Sequence, residues 1–500
     1  MIIGFNHNYY LRHDNRRTIL ASDPHAVENG CVKEWMSRIH PLYGMLFALL
    51  SIPQDKSVAE QRIAKFFGIS VTQASNLLSP FLKKDSFLAG GYGKVISHFP
   101  ESIVREYRDN ECHKLKNGKN NSEIPIYSPA EFKFSEVDID TRRMLRCPHG
   151  LVLIVTTNCA TNCIYCYADK NTRCKTHLDI KEIERILKEA WNLGIRELQM
   201  IGGEFFLHPN WYEILSTATK LGFRVPLIST KLPLTYEQML KFKEFNIRLQ
   251  ISLDTLCADM LKNTLCVSES YGEKIIKVIE YADKLKLRYK ISTVLTRQTA
   301  TVENLSNLYK KFRNLRSLQL WSVRLAFPSL YTSHPFEEIK VTEDQFMELQ
   351  AWYEEIKSTD GLFPIDFPES FKTRYQYASK GSQCFDGARC SANMSHMVVL
   401  PDGNVTICEQ LYWNPRFIIG NVLKDSIDTI WNSPKALSLS RLPQKDLNPE
   451  SACSSCAIYD SCRDFSNKCF ANTIKAYGNE HWDYPDPRCA YAPAFLNEII

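Results

Sequence analysis

Through the middle of the chain, short apolar runs alternate with stretches of helical period. Leu151 to Thr157, Arg196 to Gly203, Val225 to Thr230, Ile247 to Asp254, Lys290 to Thr296 and Ser317 to Leu325 are apolar runs that end in polar residues, and they read as six strands. The first helical stretch is clearest: Asp179 stands at its N-cap, Ile183, Ile186, Leu187 and Ala190 share one face, and Gly194 stops it. Strands that alternate with helices, joined by right-handed crossovers, predict an α/β fold with a parallel sheet.

The N-terminal part has a different pattern. Ile2 to Leu11 and Arg17 to Ser22 flank a polar His13-Asp14-Asn15 turn and predict a hairpin. Helical patterns follow at Pro41 to Leu50, Ser57 to Phe67 and Thr72 to Lys84, where Pro80 counts against a straight third helix. A short strand or wing runs through Gly90 to Ser97. Residues 110 to 140, with polar Lys114 to Asn121, read as a linker.

Length and charge narrow the function. Five hundred residues with 44% hydrophobic content bury more than one core, so several domains are expected. A net charge of +5 is small for that length and gives no nucleic-acid footprint. Met1 to His7 lacks a basic stretch followed by an apolar core, and the longest apolar run, Leu42 to Ile52, is too short to cross a bilayer; a cytoplasmic chain with no membrane partner is the expectation. In that compartment seventeen cysteines read as metal ligands rather than disulfides.

The most informative of them are Cys159, Cys163 and Cys166, spaced CxxxCxxC after the first strand. Three thiolates on one loop hold three irons of a cubane and leave the fourth without a protein ligand, a place for chemistry. A structural cluster or zinc site would close that position with a nearby Cys or His. This run, including the aromatic Tyr165 before the last cysteine, resembles the signature of the radical S-adenosylmethionine (SAM) enzymes. The resemblance implies a partial (β/α)6 barrel, a [4Fe-4S] cluster whose open iron binds the amino and carboxylate groups of SAM, and chemistry at the C-terminal ends of the strands.

Carried over position by position, the family pattern assigns several strand ends to SAM. Gly202-Gly203-Glu204 resembles the GGE motif, with glycines that let backbone approach the ligand and a carboxylate for the SAM ammonium; Phe205 stands where the family more often has Pro. Ser229 and Thr230 end the third strand, and Ser252 and Asp254 the fourth, as candidates for the methionine and ribose moieties; helix caps or turns are the bland alternative. Arg297 and Arg324 are weaker candidates for a carboxylate.

A second cysteine array fills the C-terminal quarter. Cys384 and Cys390 enclose five residues, Pro401-Asp402-Gly403 precedes Cys408, and Cys453, Cys456, Cys462, Cys469 and Cys489 follow, with Gly420-Asn421-Val422 between and Asp486-Pro487-Arg488 before the last. This array resembles the SPASM extension of peptide-modifying radical SAM enzymes, except that Cys462 and Cys469 enclose six residues where the family usually has three. The resemblance implies two auxiliary [4Fe-4S] clusters, one on Cys384, Cys390, Cys408 and Cys469, the other on Cys453, Cys456, Cys462 and Cys489. Zinc is the alternative, since CxxC pairs also make zinc knuckles. Cys31, Cys112, Cys147, Cys174, Cys257 and Cys266 fit no spacing.

The expected organisation is a winged-helix-like domain at 1–105, a linker at 106–147, the core barrel at 148–330, a connecting helical segment at 331–383 and the SPASM domain at 384–500. The arrangement of the first domain resembles the elements with which peptide-maturing enzymes bind a leader sequence by strand addition. DNA binding through Gln73, Asn76, Lys83 and Lys84 is the rival, and the helix carries few cations for phosphate. The resemblance as a whole implies a maturase of a ribosomally made peptide: a 5′-deoxyadenosyl radical removes hydrogen from the peptide, and a thioether or carbon–carbon cross-link results. Its partners would be a precursor peptide with a leader and an electron donor such as flavodoxin or ferredoxin. The alternatives are an activator of a folded enzyme, by formylglycine-type oxidation or subunit cross-linking, and a non-catalytic iron-sulfur peptide carrier.

Overall fold

The structure, a computed structural model, describes residues 1–89, 95–108, 111, 125–169, 172, 174, 177–359, 362–369, 371, 390–465 and 468–497. It divides into two compact units, Met1–Cys147 and Pro148–Ile500.

In the first unit β1 (Ile2–Phe5) lies between β5 (Gln54–Asp55) and β8 (Val104–Tyr107), antiparallel to both. The expected hairpin forms from β2 (Tyr9–His13) and β3 (Thr18–Ser22), paired from Tyr9↔Ser22 to His13↔Thr18, and β4 (Met36–Ile39) extends it. Residues 2–5 belong to the other sheet, because the turn at Asn6 breaks the run expected as one strand. Helices span Pro41–Leu49, Lys56–Phe67 and Val71–Leu78. The third starts in a Ser70/Gln73 capping box and gives way at Pro80 to a 3₁₀ turn, Ser79–Leu82, because proline cannot continue the backbone ladder. β6 (Ser86–Ala89) and β7 (Val95–Phe99) form the wing, whose tip at 90–94 is outside the described residues.

Two parts of this unit differ from their sequence reading. The polar turn, exposed at Asn15 and Arg16, carries a buried anchor: Asp14 and Arg17, both fully buried, pair at 2.8 Å. Asp14 accepts from the backbone of Leu145 and Arg146, and Arg17 donates to the carbonyls of Thr141 and Arg143. Residues 125–147, expected in the linker, therefore pack onto this unit, and Phe132 joins Phe47, Phe81 and Phe99 in its core. The polar run Lys114 to Asn121 and Cys112 lie outside the described residues.

In the second unit all six expected strands are present: β9 (Gly150–Ile154), β10 (Glu197–Ile201), β11 (Ile228–Thr230), β12 (Leu249–Ser252), β13 (Tyr289–Leu295) and β14 (Leu318–Leu325). Neighbours run parallel, in two sheets: β10 pairs with β9, and β11 to β14 pair in order. Backbone bonds from Leu198 to Arg224 and from Arg224 to Arg196 join the two sheets between β10 and β11. The helix expected after β9 spans Ile180–Asn192, opens on an Asp179/Glu182 capping box and buries Ile183, Ile186, Leu187 and Ala190.

Two additions extend the barrel at its ends. β15 (Ile365–Asp366), inside the segment expected to be helical, pairs parallel with β14; two residues show no periodicity that a sequence reading could use. The rest of that segment includes the helices Phe336–Ile339 and Glu343–Thr359. On the other side β16 (His396–Val399) pairs parallel with β9, and β17 (Asn404–Thr406) and β18 (Ile418–Asn421) continue the sheet antiparallel. The start of the cysteine-rich region is thereby continuous with the barrel sheet.

Candidate active site and cysteine pockets

Because β9 to β12 run parallel, the segments that follow them emerge at one end. The cysteine loop follows β9, Gly202-Gly203-Glu204 follows β10, Thr230 ends β11 and Ser252-Leu253-Asp254 ends β12. The loop is braced on several sides. Backbone N–H groups of Asn162 and Ile164 donate to the carbonyls of Leu265 and Thr264 at 2.9 Å each. Thr332 and Ser329 donate their hydroxyls to the carbonyls of Ile164 and Cys166 at 2.7 Å. Cys159 is exposed, Cys163 buried and Cys166 half-buried, with the Thr161 hydroxyl 3.2 Å from the Cys163 sulfur.

The motif glycines have a role that sequence reasoning assigned differently. A Cβ on Gly203 would lie 2.2 Å from the Asn158 carbonyl oxygen and 2.6 Å from that of Thr157, and one on Gly202 would lie 2.7 Å from that of Thr156. The Gly203 N–H donates to Thr156 at 2.8 Å and the Glu204 N–H to Asn158 at 2.6 Å. The close approach is therefore between the motif and the backbone leading into Cys159, not only between motif and ligand.

Glu204 is buried. Its carboxylate accepts from the Thr230 hydroxyl at 3.0 Å and from the backbone N–H groups of Lys231 and Phe206 at 2.8 and 3.3 Å. Burial pushes its carboxyl up to about 6, against those hydrogen bonds. Ser229 accepts from Gln250 at 2.9 Å. Ser252 is buried, and among the described residues its hydroxyl has no protein partner.

Asp254, fully buried, is the centre of a network that includes a residue sequence reading missed. Its Oδ1 accepts from the Val294 N–H at 2.8 Å, and its Oδ2 accepts from Lys231 Nζ at 3.0 Å and from the Tyr165 hydroxyl. Lys231 also donates to the Tyr165 oxygen at 3.0 Å, and Tyr271 donates to the Lys231 carbonyl at 2.6 Å. Burial works against the Lys231 ammonium, but the Asp254 carboxylate and the Cys163 sulfur outweigh it and raise its pKa. Lys231 stands directly after the strand-end pair Ser229-Thr230, and that position was the signal available. Of the two arginines considered, Arg324 pairs with Asp366 and Arg297 donates to the Lys340 carbonyl at 3.1 Å.

The C-terminal cysteines fall into two sets. Cys453, Cys456, Cys462 and Cys489 line one pocket together with Lys468, Asp483 and Asp486. Burial pushes Cys453 up to about 11; Lys468 opposes this, and Cys489, Cys456 and Cys462 add to it. In the second set, Cys408 is raised by burial and by Cys469 and Cys390 among its neighbours. Cys384, assigned to this set from sequence, lies outside the described residues. Gly403 turns with φ +82° and its carbonyl accepts from Val422 at 2.8 Å, which ties the two glycine motifs of this region together.

The donor chemistry, three cysteines on the core loop and four lining the C-terminal pocket, is that of iron-sulfur ligation. Among the described residues no three His, Cys, Asp or Glu side chains converge as the ligands of one metal ion do. Among the described residues no helix is long and apolar enough to cross a membrane.

Comparison with known proteins agrees with this geometry. Residues 153–306 match the radical SAM superfamily, and residues 390–457 match the SPASM iron-sulfur cluster-binding domain. The chain is 24% identical over 368 residues to the mycofactocin maturase MftC of Mycobacterium tuberculosis, covering 71% of this chain and 87% of that protein. To the MftC of Mycobacterium ulcerans it is 26% identical over 369 residues, 71% of this chain and 92% of that one. Among solved structures, Streptococcus suis SuiB bound to S-adenosylmethionine shares the fold with a TM-score of 0.60 at 17% identity, over 97% of this chain and 99% of that chain. SuiB bound to its precursor peptide SuiA gives 0.57 at 15% identity, over 97% and 98%. Residues 153–306 are thus a radical SAM domain and residues 390–457 a SPASM domain, and these domains imply a [4Fe-4S] cluster with SAM and auxiliary clusters besides.

Proposed function

We propose that this protein is a peptide maturase, which uses radical SAM chemistry to install an intramolecular thioether or carbon–carbon cross-link in a ribosomally made peptide. The observation that carries the reading is the three-cysteine loop, braced at the strand ends and backed by Glu204 and the Lys231–Asp254 pair. Its likeness to the mycofactocin maturases over most of the chain supports a peptide substrate. Cys159, Cys163 and Cys166 hold the core cluster. Glu204, Ser229, Thr230 and Ser252 bind SAM, while Asp254 and Tyr165 act on that site by positioning Lys231. When bound, cluster and SAM together supply a 5′-deoxyadenosyl radical able to take hydrogen from an unactivated carbon. The barrel's part is to hold the target carbon and exclude competing C–H bonds and water. Cys384, Cys390, Cys408 and Cys469 hold one auxiliary cluster; Cys453, Cys456, Cys462 and Cys489 hold the other.

The first unit is the recognition module for the precursor's leader. Its helices, wing and three-stranded sheets support strand addition of an extended peptide. An external one-electron donor such as flavodoxin or ferredoxin completes the system. The test is mass spectrometry of the short peptide encoded beside the gene, after anaerobic co-expression with the enzyme. Loss of two hydrogens or a multiple is expected, and the Cys163→Ala variant should leave the peptide unchanged and form no 5′-deoxyadenosine. An unaltered peptide mass, with solvent deuterium also absent from it, would reject the peptide reading. Deoxyadenosine formed by the variant would reject the core assignment.

A further inference from the structure

Among the described residues that line the pocket of Cys453, Cys456, Cys462 and Cys489 is an ammonium bonded to no carboxylate. Lys468 lines that pocket and is 8% exposed. Among the described residues its ammonium makes no hydrogen bond and no ion pair; its close neighbour is the Phe470 ring, 5.2 Å from Nζ. Neither carboxylate at the pocket bonds to this ammonium. Asp486 is held by Arg488 at 2.8 Å through both oxygens and accepts from the Cys469 N–H at 2.9 Å. Asp483 accepts from the Asn448 N–H at 2.6 Å, and its other oxygen has no partner. Arg463, the second cation there, donates to the Ser440 carbonyl at 3.3 Å.

A buried ammonium without a carboxylate is costly, and it persists where another group supplies negative charge. A cluster closed by four thiolates carries net negative charge, and more of it when reduced. Cluster potentials follow net charge and hydrogen bonds to sulfur. We propose that Lys468 is the counter-charge of the auxiliary cluster held by Cys453, Cys456, Cys462 and Cys489, donating to its sulfurs and raising its reduction potential. It is a positioning residue for electrons rather than a catalytic one, and the assignment rests on reading that pocket as a cluster site.

The experiment is a potentiometric titration followed by electron paramagnetic resonance. It uses the full chain, purified anaerobically, in a background with Cys159, Cys163 and Cys166 replaced by Ala so that only auxiliary signals remain, and iron is counted in each sample. With Lys468→Met one auxiliary midpoint moves negative by at least a tenfold change in the equilibrium, about 59 mV for one electron, while Lys468→Arg stays near the parent. An unmoved midpoint at full iron content overturns the proposal, and so does an equal shift in both variants. Where Lys468→Met loses one cluster's iron and Lys468→Arg keeps it, the positive charge is required and the proposal stands; loss from both overturns it. Failure of the cluster reading itself is seen separately, as missing iron in the parent.

Discussion

Lys231 and Lys468 both stand near cysteines, Lys231 half-buried beside the core loop and Lys468 buried in the C-terminal pocket. Lys231 reaches Asp254 and Tyr165 at 3.0 Å, and its pKa is raised although burial works against it. Lys468 has no such partner, and burial pulls it down to about 7, with the Cys453 sulfur opposing. Residue type is alike, and the two differ in whether a carboxylate of the chain itself is in contact, Asp254 for Lys231 and none for Lys468 among the described residues. The core site is therefore paired in advance and keeps its polar geometry by its own bonds. The C-terminal pocket is completed by what it holds.

The largest expected effect breaks the core side alone. In Gly203→Ala the new Cβ would sit 2.2 Å from a backbone oxygen of Asn158, one residue before Cys159, and neither segment is a flexible side-chain end that yields cheaply. The loop must shift. We expect loss of one cluster's worth of iron and near-complete loss of 5′-deoxyadenosine, with both auxiliary signals kept. A variant with full iron and activity would show that the close packing of the motif on the loop is dispensable.

Lys231→Met comes next. It leaves the fully buried Asp254 carboxylate without its cation, and breaking a buried pair in this way costs about 3–5 kcal/mol. Denaturant unfolding should register that loss. The double variant Lys231→Met/Asp254→Asn should recover part of it, on the order of 1–3 kcal/mol of coupling between contacting residues. Strict additivity of the two single variants would mean that the pairing in advance contributes nothing.

How much of this was legible in the sequence depended on locality. Six strands, the first barrel helix with its Asp179 cap, the hairpin at 9–22 and the break at Pro80 each follow from residues within a few positions of one another. The cysteine loop and Gly202-Gly203-Glu204 were likewise readable from spacing. The part of Lys231 was not, because its partners Tyr165 and Asp254 come from other strand ends, 66 and 23 residues away. The burial of Asp14 was hidden for the same reason: a polar triplet reads as a surface turn until Leu145 and Arg146, 131 and 132 residues on, are found donating to it. Lys468 adjoins a predicted ligand, and nothing in its local pattern distinguishes a buried lysine from a solvated one.

The smallest expected effect concerns Glu204 and sharpens the contrast from the core side. Burial raises its carboxyl from 4.5 to about 6, so between those values the folded chain binds more protons than the unfolded one. Stability must then fall as pH rises through that window, by about 2 kcal/mol, and level off above pH 6. Glu204→Gln should abolish that slope in unfolding measured across pH 4.5 to 7. SAM reverses the balance: an ammonium docked on the carboxylate favours its ionised form, so SAM binding should weaken as pH falls below about 6. With a carboxyl of that pKa, lowering the pH from 7.5 to 5.5 reduces the ionised fraction, and hence the affinity seen by calorimetry, by about fourfold. A flat affinity over that range, beside an intact stability slope, would mean that Glu204 serves only Thr230 and the backbone of Lys231. The ammonium would then be held by other groups at the strand ends.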